Sequence, residues 1–226
     1  GAIKNDTLMH AVLVYLSGGG LSGGARNTLH SLVPELQRNG GLDRLDVFVP
    51  PQAMDMPEVR DLSPRTWPKR DRLLGCPALK RQIRSLYPDV VFIPNAAIFD
   101  TGGIPTVCMV RNMEAVLKPF GDNPFLVGCK NILRAQVARR ACRKSNRVLA
   151  VSQFVREFLV NSWRLPDSKV GVVYHGVDAA MPIEQTRPPE NMKDTSARFW
   201  FSAGSFIPYR GYEDVLKALA KRIKGG

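Results

Sequence analysis

Short apolar runs alternate with amphipathic stretches along the chain. Residues 11–16, Ala-Val-Leu-Val-Tyr-Leu, are continuously apolar, and Leu29, Leu32, Val33 and Leu36 then recur at helical spacing as far as Asn39-Gly40. A strand followed by a helix is predicted, joined by Ser17-Gly18-Gly19-Gly20-Leu21-Ser22-Gly23-Gly24-Ala25. Residues 45–49 predict a second strand that Pro50-Pro51 ends, and 77–86 predict a basic amphipathic helix. The runs 88–95 and 104–110 lack polar alternation, which marks strands buried on both faces. A long helix over 126–143 with its basic residues outward is expected next, then a strand at 147–151. Ser152 is placed to cap a helix over 153–163, and 169–174 predict a further strand. Such alternation predicts an α/β fold on a doubly wound parallel sheet.

Two stretches break the pattern. Residues 50–75 are rich in proline and charge without a sustained period, so a long excursion of the functional or mobile kind is expected. Residues 179–197 carry Pro182, Pro188 and Pro189 with almost no apolar periodicity and read as a linker. Beyond it the grammar restarts, with a strand from Arg198, a turn at Ser205-Phe206-Ile207-Pro208-Tyr209-Arg210-Gly211 and a helix from Tyr212 to about Lys224. The expected division is a first domain over 8–178, a linker over 179–197, and the opening strand and helix of a second domain over 198–226. One strand and one helix cannot enclose a core, so the chain is expected to be a piece of a longer protein.

Composition narrows the partners. The 226 residues are 44% hydrophobic, enough for a real core, and carry a net charge of +12 that favours anionic partners. Nucleic acid, an acidic membrane face and a phosphorylated small molecule compete for that role. The cations sit in separate patches at 64–72, 80–84 and 134–144, without the interleaved aromatics on which bases stack, so nucleic acid is not expected. Their spread fits peripheral contact with an anionic membrane. No apolar run approaches the roughly 20 residues that cross a bilayer, and no signal peptide is apparent, so a cytoplasmic location is expected. Cys76, Cys108, Cys129 and Cys142 form no Cys-x-x-Cys pair and lie apart from His10, His30 and His175; free thiols and no metal site are expected.

The glycine stretch follows an apolar strand and opens a helix, where unpaired main-chain N–H groups and missing Cβ atoms let a phosphate or sugar come close. Its spacing matches neither Gly-x-Gly-x-x-Gly nor the phosphate loop ending in Gly-Lys-Ser/Thr. Four segments in order carry a more specific signal: Ser22-Gly23-Gly24-Ala25-Arg26, Val151-Ser152-Gln153-Phe154-Val155-Arg156, Val172-Val173-Tyr174-His175-Gly176-Val177-Asp178 and Gly204-Ser205-Phe206-Ile207-Pro208-Tyr209-Arg210-Gly211. Together they resemble the group 1, or family 4, glycosyltransferases.

The resemblance implies the GT-B architecture, two Rossmann-like domains facing across a cleft. The first binds the acceptor and the second a nucleotide-diphosphate sugar. It implies metal-independent transfer with retention to a glycan or lipid-linked acceptor, as in cell-envelope polysaccharide synthesis. On this resemblance Gly23, Gly24, Gly204, Ser205 and Arg210 are the donor-binding candidates, and Arg210 keeps a cation for the diphosphate where Ser205 replaces a usual Arg. Arg111 and Asn112 stand where the family often places a His, which makes them the catalytic candidates. Asn112 would bind a sugar hydroxyl. Arg111 would bind a phosphate, or else pair with Glu114. His175 reads as a turn residue or a catalytic one. The family's paired glutamates have no counterpart, so the polypeptide as given is expected to be weakly active or inactive. A non-catalytic sugar- or nucleotide-binding module of the same fold is the alternative, and a basic nucleic-acid binder the more distant one.

Overall fold

The computed structural model describes residues 9–17, 21, 23–117, 119–120, 124–176 and 211–224, with only the backbone at Glu58, Arg72 and Leu73. Among the described residues six strands form one sheet: β1 (His10–Val14), β2 (Arg44–Phe48), β3 (Val90–Ile93), β4 (Thr106–Val110), β5 (Arg147–Ala150) and β6 (Val170–Val172). Their order is β2-β1-β3-β4-β5-β6 and every pairing is parallel. The helices are α1 (Gly23–Asn39), α2 (Pro57–Arg60), α3 (Pro77–Arg84), α4 (Glu114–Leu117), α5 (Phe125–Lys144), α6 (Gln153–Asn161) and α7 (Tyr212–Lys224). This is the doubly wound, Rossmann-like α/β sheet that the sequence predicts.

The period-two alternation of β1 divides the core. Val12 and Val14 face one cluster, with Val91, Ile93, Cys108, Val110, Leu79, Ile83 and Leu159. Leu13 and Tyr15 face the other, with Val33, Leu29 and Ala25 from α1 and Val47 from β2. Helices on both faces follow from the order of connections: β1 to β2 runs one way across the sheet and β2 to β3 the other, and right-handed crossovers place the two on opposite faces. Each fully buried Leu or Ile adds about 1.5–3 kcal/mol, so a slip of one residue in β1, which exchanges both faces, is strongly disfavoured.

The strand amino ends are pinned by one carboxylate. Asp46 accepts from His10 Nε2 at 2.9 Å and meets Arg44 Nε at 2.8 Å and Arg65 Nε at 3.0 Å. Burial pushes its carboxyl up, but hydrogen bonds from His10 and Arg44 and the charges of Arg44 and Arg65 outweigh that and hold it below the usual carboxylate value. His10 is thus structural, and His30 is exposed on α1.

Several expectations are corrected. Gly23 and Gly24 are the first two residues of α1, without positive φ, instead of residues of the preceding turn. The excursion at 50–75 is packed into the core. Arg65 bridges Phe48 beside β2, Trp67 is buried with one cluster and Ala53 and Val59 with the other. Buried Asp71 accepts from the Ala78 and Leu79 amides at 2.8 and 2.9 Å, capping α3 in place of Cys76, which precedes the helix at φ 65°. No sequence period marks this segment because its contacts are single anchors set by tertiary packing. The basic residues Lys130, Arg134, Arg140, Arg143 and Lys144 of α5 are exposed, as the sequence predicts, and the exposed apolar side chains Leu126, Leu133 and Val137 share that outward side. The four cysteines are free thiols, with Cys129 exposed and the other three buried.

Candidate functional site

All six strands are parallel, so their carboxyl ends share one edge of the sheet. Connections leave β1 for β2 on one side while β3 lies on the other, which opens a crevice beyond the β1 and β3 ends, where ligands of open α/β sheets sit. Tyr15, Asn95 and Arg111 stand at this edge. Tyr15 follows β1, Asn95 lies two residues past β3, and Arg111 directly follows β4.

Asn95 Nδ2 donates to the Leu16 carbonyl at 2.6 Å, tying the end of β3 to that of β1 across the switch point. Its Oδ1 is buried and has no hydrogen-bond partner among the described residues, and the same holds for Nη1 of Arg111. Tyr15 is buried; burial pushes its phenol above the ordinary value while the nearby Arg111 guanidinium pulls it back. The phenol therefore stays protonated through neutral pH and offers an O–H beside a guanidinium. Buried polar groups are nearly always paired, and leaving one unmade costs about 1–3 kcal/mol, so these two atoms at the carboxyl edge are the candidates for hydrogen bonds to a ligand.

Of the predicted catalytic pair, Arg111 is half-buried at this edge and makes no ion pair with Glu114 among the described residues. Asn112 is exposed, and its Oδ1 accepts the Glu114 amide at 2.9 Å, so its carbonyl side caps α4. Gly23 and Gly24 open α1 at the same edge, and a Cβ on Gly24 would meet nothing within 4 Å. The first amides of a helix lack intrahelical acceptors, which suits an anion. Ser152 caps α6 by accepting from the Val155 amide at 3.2 Å, and His175 is exposed after β6. Gly204, Ser205 and Arg210, the linker and the predicted strand from Arg198 lie outside the described residues. Among the described residues no three His, Cys, Asp or Glu side chains gather as a metal site.

Sequence reasoning overlooked Tyr15 and Asn95 as site residues. No sequence signal singles them out, since each is only a polar-tipped residue near the carboxyl end of an apolar strand run, on the strands that flank the switch point.

An all-parallel α/β sheet in this strand order defines a domain of the Rossmann-like class. The Glycosyltransferase Family 4 profile matches residues 22–180, more than half of the chain, and the chain belongs to that family. No curated protein matches it. Among solved structures it is similar to a UDP-N-acetylglucosamine 2-epimerase at 13% identity and TM-score 0.49, covering 72% of this chain and 45% of that one. A glycosyltransferase from Rickettsia africae ESF-5 is similar at 12% identity and TM-score 0.43, covering 75% and 44%. The lipopolysaccharide outer core galactosyltransferase WaaB, in its apo form, is similar at 13% identity and TM-score 0.46, covering 82% and 50%. The chain spans about half the length of these structures.

Proposed function

We propose that the protein transfers a sugar, with retention, from a nucleotide-diphosphate sugar to a glycan or lipid-linked acceptor, and that residues 8–178 supply the acceptor-binding domain. The observation that carries this reading is the unmatched pair, Arg111 Nη1 and Asn95 Oδ1, beside Tyr15 at the switch-point edge. Breaking the bond from the anomeric carbon to the diphosphate oxygen leaves negative charge on the diphosphate and positive character on the sugar. A guanidinium fixed out of bulk water answers that charge without reorganising, which is the strongest form of transition-state stabilisation. In this reading Arg111 grips a phosphate oxygen of donor or acceptor, and Asn95 Oδ1 and the Tyr15 hydroxyl hold sugar hydroxyls. The amides of Gly23 and Gly24 face the anion, and Arg210, with Gly204 and Ser205 in its turn, holds the diphosphate from the second domain. The reading needs neither a metal nor an organic cofactor.

The test is turnover of a panel of nucleotide sugars by the full-length protein with a glycan or lipid-linked acceptor. Acceptor-dependent consumption of one donor is expected. A binding module without turnover is the second reading, favoured by the engagement of Asn112 Oδ1 in capping α4. Saturable nucleotide-sugar binding with no consumption of any donor would establish it and end the enzyme reading.

A further inference from the structure

Two cysteines meet inside the larger core cluster. Cys108 lies in the middle of β4, registered against Ile93 of β3 and Val148 of β5. Cys142 lies in the last turn of α5, which packs on β4. Both residues are 0% exposed, and their thiols are hydrogen-bonded to each other. The buried hydroxyl of Ser145, which donates to the Ala141 carbonyl at 2.9 Å, is also within hydrogen-bonding reach of the Cys108 sulfur. Lys169 donates from Nζ to the Arg143 carbonyl at 2.7 Å, which holds its charge at the same helix end and near both sulfurs.

The two thiols are unequal. The hydrogen bond from Cys142 holds the Cys108 thiol below its ordinary value against the opposing effect of burial, and Ser145 and Lys169 add to it. The same bond, together with burial and the charge of the neighbouring sulfur, pushes the Cys142 thiol up. A thiolate is the form that attacks a peroxide, and a second thiol in contact with it is placed to resolve the product.

We propose that Cys108 and Cys142 are a redox modification site, a dithiol that hydrogen peroxide closes to a disulfide tying the end of α5 to β4. The Cys108 sulfur attacks one peroxide oxygen, the O–O bond breaks, and water leaves with the Cys108 proton, which makes a sulfenic acid. The Cys142 sulfur then displaces the sulfenic hydroxyl, which leaves as a second water with the Cys142 proton. The two thiols together give up two electrons and two protons, and the peroxide is reduced to two waters. Burial selects the oxidant. Peroxide is small and uncharged and enters when the last turn of α5 opens, as helix ends do at low free energy, whereas a bulky disulfide such as oxidised glutathione is kept out. β4 is the strand that Arg111 directly follows, so the bond fixes the element that presents that guanidinium. The inference rests on the core contact and holds whether or not the protein transfers sugar.

The experiment treats the Cys129→Ser protein, which lacks the exposed thiol, with millimolar hydrogen peroxide under native conditions for several hours, then alkylates it in urea and maps its peptides by mass. The peptides carrying Cys108 and Cys142 should be joined, with the loss of two hydrogen atoms, and dithiothreitol should restore both thiols. Far-ultraviolet circular dichroism should be the same before and after. In a Cys108→Ser variant the oxidation of Cys142 should slow by about tenfold or more, because the attacking thiolate is gone. In a Cys142→Ala variant Cys108 should gain oxygen without a cross-link, because nothing resolves the sulfenic acid. The joined peptides are sought in a protein that keeps both cysteines, so that result stands even if a variant fails to fold. Both thiols still reduced after the treatment, a cross-link that forms only in urea, or Cys142 oxidised as fast in a folded Cys108→Ser variant would each overturn the proposal.

Discussion

Arg111 and Tyr15 define the chemistry at the carboxyl edge as a guanidinium beside a phenol kept protonated by burial, and the Asn95 amide oxygen at the same edge has no donor among the described residues. Tyr15→Phe keeps the ring and its packing and removes only the hydroxyl. It should lower kcat/KM for transfer by about tenfold, the worth of one hydrogen bond to a ligand, while leaving urea unfolding nearly unchanged. At the opposite edge, Asp46 does structural work through charge. Its carboxyl is held below the ordinary value in the fold, so its contribution is complete above the unfolded pKa of about 4 and fades as pH falls through the lower folded value. Asp46→Asn should therefore cost about 1–2 kcal/mol at pH 7, and the gap to wild type should close on acidification below about pH 4. Denaturant titrations at several pH values measure this, and a gap independent of pH would contradict it. In the sequence Arg111 was readable as a site residue because it ends a strand run within a recognisable order of segments. Asn95 and Tyr15 were not, since hydrogen-bond satisfaction exists only once the strands are side by side.

Strands are the most legible elements in this sequence. β1, β3 and β4 are almost wholly apolar because helices or neighbouring segments cover them, and their ends differ from the sequence reading by no more than two residues. α6 and its Ser152 cap were equally plain, since a cap is a local device and its cue lies within three residues. The segment 50–75 was not. Trp67 and Val59 join the core clusters, and Asp71 accepts the Ala78 and Leu79 amides, all without a periodicity that announces them. If the segment is integral to the core, Trp67→Ala should cost about 3–5 kcal/mol, as removal of a buried aromatic does. Asp71→Ala should cost about 1–2 kcal/mol through loss of the α3 cap. Both are read from the urea midpoint, and a Trp67→Ala loss below about 1 kcal/mol would return the segment to the status of a surface loop.

At the scale of the molecule, one parallel sheet gathers residues far apart in sequence at a single edge. Tyr15, Asn95 and Arg111 stand on one edge because the order β2-β1-β3-β4 sets β1, β3 and β4 side by side. The family likeness was legible in the order of segments. The exposure of the apolar side chains of α5 was not, because only burial reveals a helix's rotation. The carboxyl edge as a prepared ligand site is the central claim, and Arg111→Ala in the full-length protein tests it most directly when transfer and unfolding are measured together. The account predicts that kcat/KM falls by about 10²–10³, the loss typical of one preorganised charge-stabilising donor, while stability holds or rises because an unmet buried donor has been removed. A variant that transfers sugar as well as wild type, or that loses activity only in proportion to the protein that unfolds, would contradict it.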